Sequence, residues 1–142
     1  MKRLNRKGFT LVELLAVIVI LAIVVGITLV TVLPTLKDSR QEAFEVTAQT
    51  AADYLEKQYQ LTLVGLSGST LTGSVPTGES DTDAVAIGES NFKSAGLKPG
   101  NYNLTTSKWY INEKTDRACV ILYPNASGEY HDATGPAKSA GC

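Results

Sequence analysis

From Leu14 to Leu33 the chain runs for twenty residues without a charged side chain, and from Leu36 onward apolar and polar positions mix as in an ordinary folded domain. Twenty helical residues at ~1.5 Å each span roughly 30 Å, the hydrocarbon thickness of a bilayer. The stretch Leu14–Val25 is apolar all round, which excludes a helix lying on a protein surface. A cleaved secretory signal has a shorter apolar region, of about 7–15 residues, and ends in a small-residue cleavage site that is missing here. After Pro34 the pattern turns amphipathic: Phe44, Ala48, Ala51, Leu55 and Tyr59 recur at helical spacing, while Glu42, Glu45, Asp53, Glu56 and Lys57 fall largely off that stripe. Asp53 and Lys57 form a favourable i,i+4 pair. The spacing predicts one helix from Phe9 to about Leu63, roughly 80 Å at ~1.5 Å per residue. Its apolar half covers 9–35 and its amphipathic half 36–64. Gly26 and Pro34 interrupt it, because proline removes a backbone hydrogen bond and glycine costs about 1 kcal/mol against alanine. The weak point is placed between these two residues.

Gly65-Leu66-Ser67-Gly68-Ser69 ends the helix and opens a Ser-, Thr- and Gly-rich loop over 65–83. Beyond it lie β-signals. Lys108-Trp109-Tyr110-Ile111-Asn112 and Ala118-Cys119-Val120-Ile121-Leu122-Tyr123 flank Glu113–Arg117 and predict a hairpin. Asn101-Tyr102-Asn103-Leu104-Thr105 is a third strand candidate, and Ala84-Val85-Ala86-Ile87 a weaker fourth. The predicted fold class is α+β: a long N-terminal helix whose amphipathic half packs on a small antiparallel sheet in a globular head, 65–142.

Charge sharpens this division. Lys2, Arg3, Arg6 and Lys7 all fall in residues 1–8, leaving nine of the thirteen Lys and Arg residues against fourteen acids beyond them, a net of −5. A basic cluster beside an apolar run marks the cytoplasmic end of a membrane segment. Near balance of charge overall disfavours nucleic-acid binding through bulk basicity. Catalytic constellations are missing. His131 stands alone, and Glu79, Asp81, Asp83 and Glu89 lack the spacing of a calcium loop. Asn103-Leu104-Thr105 and Asn125-Ala126-Ser127 match glycosylation sequons, triplets that also arise by chance. No phosphate-cradling loop occurs. The chain therefore reads as a non-enzyme without metal or cofactor.

Glu13 breaks the pattern of a plain anchor. A carboxylate beside hydrocarbon is costly and reads as functional, although an acid at the headgroup boundary would stay solvated. The string Lys7-Gly8-Phe9-Thr10-Leu11-Val12-Glu13, after a basic leader and before a long apolar helix, resembles the class III signal of type IV prepilins and pseudopilins. The resemblance covers about residues 1–60. It implies removal of a leader, 1–8, by a membrane prepilin peptidase cutting between Gly8 and Phe9, and N-methylation of Phe9. Glycine suits the cleavage point because no side chain obstructs the protease. The resemblance further implies a pilin-like roll and assembly through Glu13 and Phe9. Family members often carry a proline where this chain has Val30. Cys119 and Cys142 are either bridged or free; a head outside the membrane lies in a disulfide-tolerant compartment, which favours the bridge. The resemblance supports it, since many pilins staple this region, here 119–142.

The function so implied is that of a structural subunit, the major pilin, of a type IV pilus used in adhesion, motility or DNA uptake. Its partners would be other copies of itself, the peptidase, an assembly platform and minor pilins, with DNA or a host surface open. Its place would be the cytoplasmic membrane in a single pass with the N-terminus inside, and afterwards the cell surface. Two alternatives stand beside it: a pseudopilin of a type II secretion or competence machine, and a membrane-anchored binding module that never polymerises.

Overall fold

The structure, a computed structural model, describes residues 8–71 and 74–142. The basic leader residues Lys2, Arg3, Arg6 and Lys7, and Thr72 and Gly73 within the 65–83 loop, lie outside the described residues. Two compact units are present, Met1–Leu36 and Lys37–Cys142, and helix α1 (Leu11–Leu63) contributes to both.

In the first unit α1 is helical through Gly26 and Pro34 without a break, and every residue from Gly8 to Leu36 is exposed. Pro34 has no N–H, so the Val30 carbonyl loses its helical donor. Threonines on this stretch turn their hydroxyls back onto the helix. Thr28 Oγ1 donates to the carbonyls of Val24 and Val25 at 3.0 and 3.1 Å, Thr31 Oγ1 to that of Thr28, and Thr35 Oγ1 to that of Thr31, each at 3.1 Å. Such back-bonding satisfies the hydroxyl inside an apolar helix and favours bending.

The second unit is built on the stripe read from the sequence. Phe44, Ala48, Ala51, Ala52 and Leu55 are buried against Trp109, Ile111, Ala118, Val120 and Leu122. Three alanines let α1 approach the sheet closely, while burying each Phe or Leu contributes about 1.5–3 kcal/mol. Gly65, at φ 66°, stops the helix: the Leu66 N–H bonds the Leu61 carbonyl and the Gly65 N–H that of Thr62, a left-handed cap that glycine adopts without strain.

Strands β3 (Lys108–Asn112) and β4 (Arg117–Leu122) form the antiparallel hairpin, with Tyr110 opposite Cys119. Strand β5 (Ala137–Lys138) continues the sheet beyond β4, and β2 (Val85–Ala86) pairs antiparallel with β3. The sheet is mixed, because β1 (Thr77–Gly78) runs parallel to β3. Hairpin logic fixes the direction of strands adjacent in sequence; β1 reaches β3 after a long connection from α1 and is free of that constraint. A short helix, α2 (Glu89–Ser94), was not among the expected elements; its Glu89–Lys93 pair is 2.7 Å apart.

The strand expected over Asn101–Thr105 is absent. Asn101 ends a 3₁₀ turn (Pro99–Asn101), and Tyr102 makes only an isolated bridge to Pro124. Asn103 Oδ1 then accepts the N–H groups of Thr105 and Thr106 at 3.2 and 3.3 Å, so a side-chain turn replaces the ladder. Pro124, with no N–H, does not extend the pairing.

Phe44 stacks on Tyr130 at 4.8 Å and Phe92 on Tyr102 at 5.3 Å. Burial first, then the neighbouring Tyr130 and Glu129, pushes the Tyr102 phenol well above its ordinary range. Hydrogen bonds donated to the Glu79 and Asp81 carboxylates likewise raise Lys114 and Lys138. A group whose folded pKa is raised keeps its full contribution below its unfolded pKa and loses it as pH rises. Stability is therefore expected to hold from neutrality to about pH 9 and to decline above about pH 10, where free tyrosine and lysine titrate. Denaturant melts across that range check this. Tyr102→Phe should flatten the alkaline decline, and a slope identical to wild type would contradict the assignment.

Candidate assembly site

Gly8 and Phe9 precede the first turn of α1. Phe9 is 89% exposed, and a Cβ added at Gly8 would meet nothing within 4 Å. Thr10 is the residue from which the helix starts: its carbonyl accepts the first helical hydrogen bond, from Leu14 N at 3.2 Å. Thr10 Oγ1 accepts the Glu13 N–H at 3.3 Å. Glu13 Oε2 in turn accepts both the N–H and the hydroxyl of Thr10, each at 2.8 Å. This reciprocal arrangement is a capping box, and its acid sits where the helix dipole favours negative charge.

Thr10 was not among the expected site residues, although its signal was present: Thr, two residues, then Glu, immediately before an apolar run. The cap also explains why α1 begins at Leu11 and not at Phe9. Among the described residues only one carboxylate oxygen is taken up, and nothing donates to Glu13 Oε1.

The rest of the first unit is an unpartnered apolar surface. Leu14, Leu15, Val17, Ile18 and Leu21 are each more than half exposed, and α1 is long and apolar enough to cross a membrane. An exposed apolar area of this extent calls for lipid or for other protein.

A family model described as the prokaryotic N-terminal methylation motif matches residues 3–29. The chain carries the class III signal of type IV pilins. No curated protein and no solved structure matches it. The signal supports a type IV pilin-like protein, a description that includes pseudopilins. That motif is a structural pilin signal and not an enzyme family; it suggests processing by a peptidase and assembly with other pilins, and with the apolar helix it fits membrane anchoring before assembly.

In the head of this pilin-like chain the remaining site residues are brought together. Cys119 and Cys142 form a disulfide with Cα atoms 4.5 Å apart. Cys119 lies on the sheet face opposite α1, beside Tyr110 and Ile121. The segment it tethers is also held by α1. Gln49 Oε1 accepts the Ala140 N–H at 2.8 Å, Gln41 Oε1 accepts that of Thr134 at 3.2 Å, and Arg40 pairs with Asp132. Gly141 packs so tightly on β4 that an added Cβ would lie 2.2 Å from the Ala118 carbonyl oxygen. These clamps join residues some ninety positions apart, beyond the reach of local pattern. His131 contacts Asp132 at 3.1 Å, and no metal-ligating cluster occurs among the described residues.

Proposed function

We propose that this protein is the major subunit of a type IV pilus, stored in the membrane and polymerised through the apolar half of α1. One observation carries the reading: a class III signal runs directly into a helix whose apolar side chains are uncovered on every side. Lipid covers them before assembly and the corresponding helices of other copies afterwards. An assembly platform and minor pilins would be the further partners.

Processing comes first. A membrane peptidase cuts between Gly8 and Phe9 on the cytoplasmic face, and Phe9 is then N-methylated. The cut lies ahead of the apolar run, so the mature chain keeps its anchor. It also creates an ammonium at Phe9, one residue before the capping box. In the filament, Glu13 leaves water for a core of packed helices, where an unpaired ion costs several kcal/mol. The Phe9 ammonium of an adjacent copy supplies the countercharge at Glu13 Oε1, which accepts no bond from the described residues, while Oε2 holds Thr10. Pairing offsets desolvation, sets the axial register between copies and makes assembly wait for processing. Gly26 and Pro34 give the helix its weakest stretch, where it would bend or unwind to fit the filament.

Substitution of Gly8 by a bulky residue should leave a full-length, membrane-bound precursor and no mature chain. Immunoblotting of membranes checks this. Normal maturation of Gly8→Val would count against cleavage at this bond. Electron microscopy of sheared surface filaments, labelled with antibody to this chain, tests the function as a whole: labelled filaments along their length support a major pilin, and no label contradicts it.

A further inference from the structure

The two sequons have different fates in the folded head. Asn125 is half-buried and its side-chain amide is used: Nδ2 donates to the Gly100 carbonyl at 3.0 Å, while its backbone N–H bonds the Asn101 carbonyl at 3.1 Å. Behind it, a Cβ on Gly128 would lie 2.7 Å from the backbone of Asn101, so the two loops are in close contact. Freeing the Asn125 amide would require separating them.

Asn103 is exposed, and among the described residues its Nδ2 donates no hydrogen bond. Its other amide atom is occupied: Oδ1 accepts the Thr105 hydroxyl at 2.7 Å, placing the two defining residues of the sequon side by side. The turn that presents them is fixed at both ends, by Asn103 N to the Tyr123 carbonyl and Ser107 N to the Asn103 carbonyl, each 2.9 Å. Next to Asn103 lies an open depression of about 440 Å³, lined by Glu89, Pro99, Gly100, Tyr102, Leu104 and Asn125. It has the Glu89 carboxylate to bond hydroxyl groups and a proline and a leucine to meet the apolar face of a sugar ring.

We propose that Asn103 is the acceptor of an N-linked oligosaccharide whose first sugars settle in this depression, and that Asn125 is not modified in the folded protein. The donor class is a lipid-diphosphate-linked oligosaccharide. Asn103 Nδ2 forms a bond to C1 of the first sugar, the C1–oxygen bond to the diphosphate breaks, the lipid diphosphate departs with the bonding pair, and the amide proton passes to a base of the transferase. This inference rests on the proposed function in one respect, that the head lies outside the cytoplasm, where such transfer takes place.

Mass spectrometry of the full chain purified from the cells that make it provides the test. The peptide containing Asn103 should be shifted by a whole oligosaccharide and that containing Asn125 should be unshifted. Asn103→Gln and Thr105→Ala should each lose the shift, and Asn125→Gln should keep it. An unshifted Asn103 peptide, sugar on Asn125, or a shift surviving Thr105→Ala would overturn the proposal. The N-terminal residue read from the same sample reports on prepilin processing separately. A chain that begins at Phe9 but carries no sugar defeats the glycan and leaves the pilin reading standing. A chain that retains its leader defeats the pilin reading instead.

Discussion

Glu13→Ala, expressed as the sole copy, should be inserted and cleaved yet form few or no filaments. Removing one partner of a buried ion pair leaves the other uncompensated at a cost of about 3–5 kcal/mol. At 1.4 kcal/mol per tenfold, that weakens each assembly step by more than about a hundredfold. Two plainer roles for Glu13 predict otherwise. As a marker of the lipid boundary its removal is harmless or improves insertion. As a mere cap for α1, held by its bonds with Thr10, its loss costs about 1 kcal/mol in a helix supported by lipid along its length. Glu13→Gln separates charge from cap, because glutamine serves the capping box equally well. Filaments should be lost with Gln as with Ala. Normal filament yield from the Gln variant would leave only the cap, and normal yield from both would defeat the pairing mechanism.

The head should depend on its disulfide. Cys142→Ser is expected to lower the unfolding free energy by about 2–5 kcal/mol, the usual loss when a small secreted domain gives up a native bridge. The bridge joins positions 23 residues apart, and its removal frees the end of the unfolded loop. In the folded state the Gln49 and Gln41 bonds still hold the segment to α1, so the variant should fold, with residues beyond Tyr123 loosened. Denaturant melts and hydrogen exchange measure both effects. Loss confined to 119–142 matches the clamped arrangement, whereas unchanged stability and exchange would show that the clamps suffice alone.

The parts of the fold legible in sequence are those governed by period and composition. The twenty-residue apolar run, the Phe44–Tyr59 stripe and the β3–β4 hairpin each repeat one physical preference along a continuous segment. The parts that escaped depend on partners far along the chain. Strand β1 is two residues long and takes its direction from β3, which lies beyond three intervening elements. The Asn101–Thr105 segment has strand-like residues, yet the Asn103 side chain offers its backbone a nearer partner than any strand. At the candidate site the signal from Lys7 to Glu13 was legible because it is contiguous. Thr10 is equally legible from the Thr-x-x-Glu spacing, and the capping box makes it and Glu13 one unit.

If one processed chain builds the filament, the N-terminal residue of the subunit in sheared filaments will show it. Sequencing and intact mass of the filament protein should give N-methylated Phe9 as the first residue, with Gly8 and everything before it gone. Filament subunits that begin at any other residue, or filaments that lack this chain, would contradict the account.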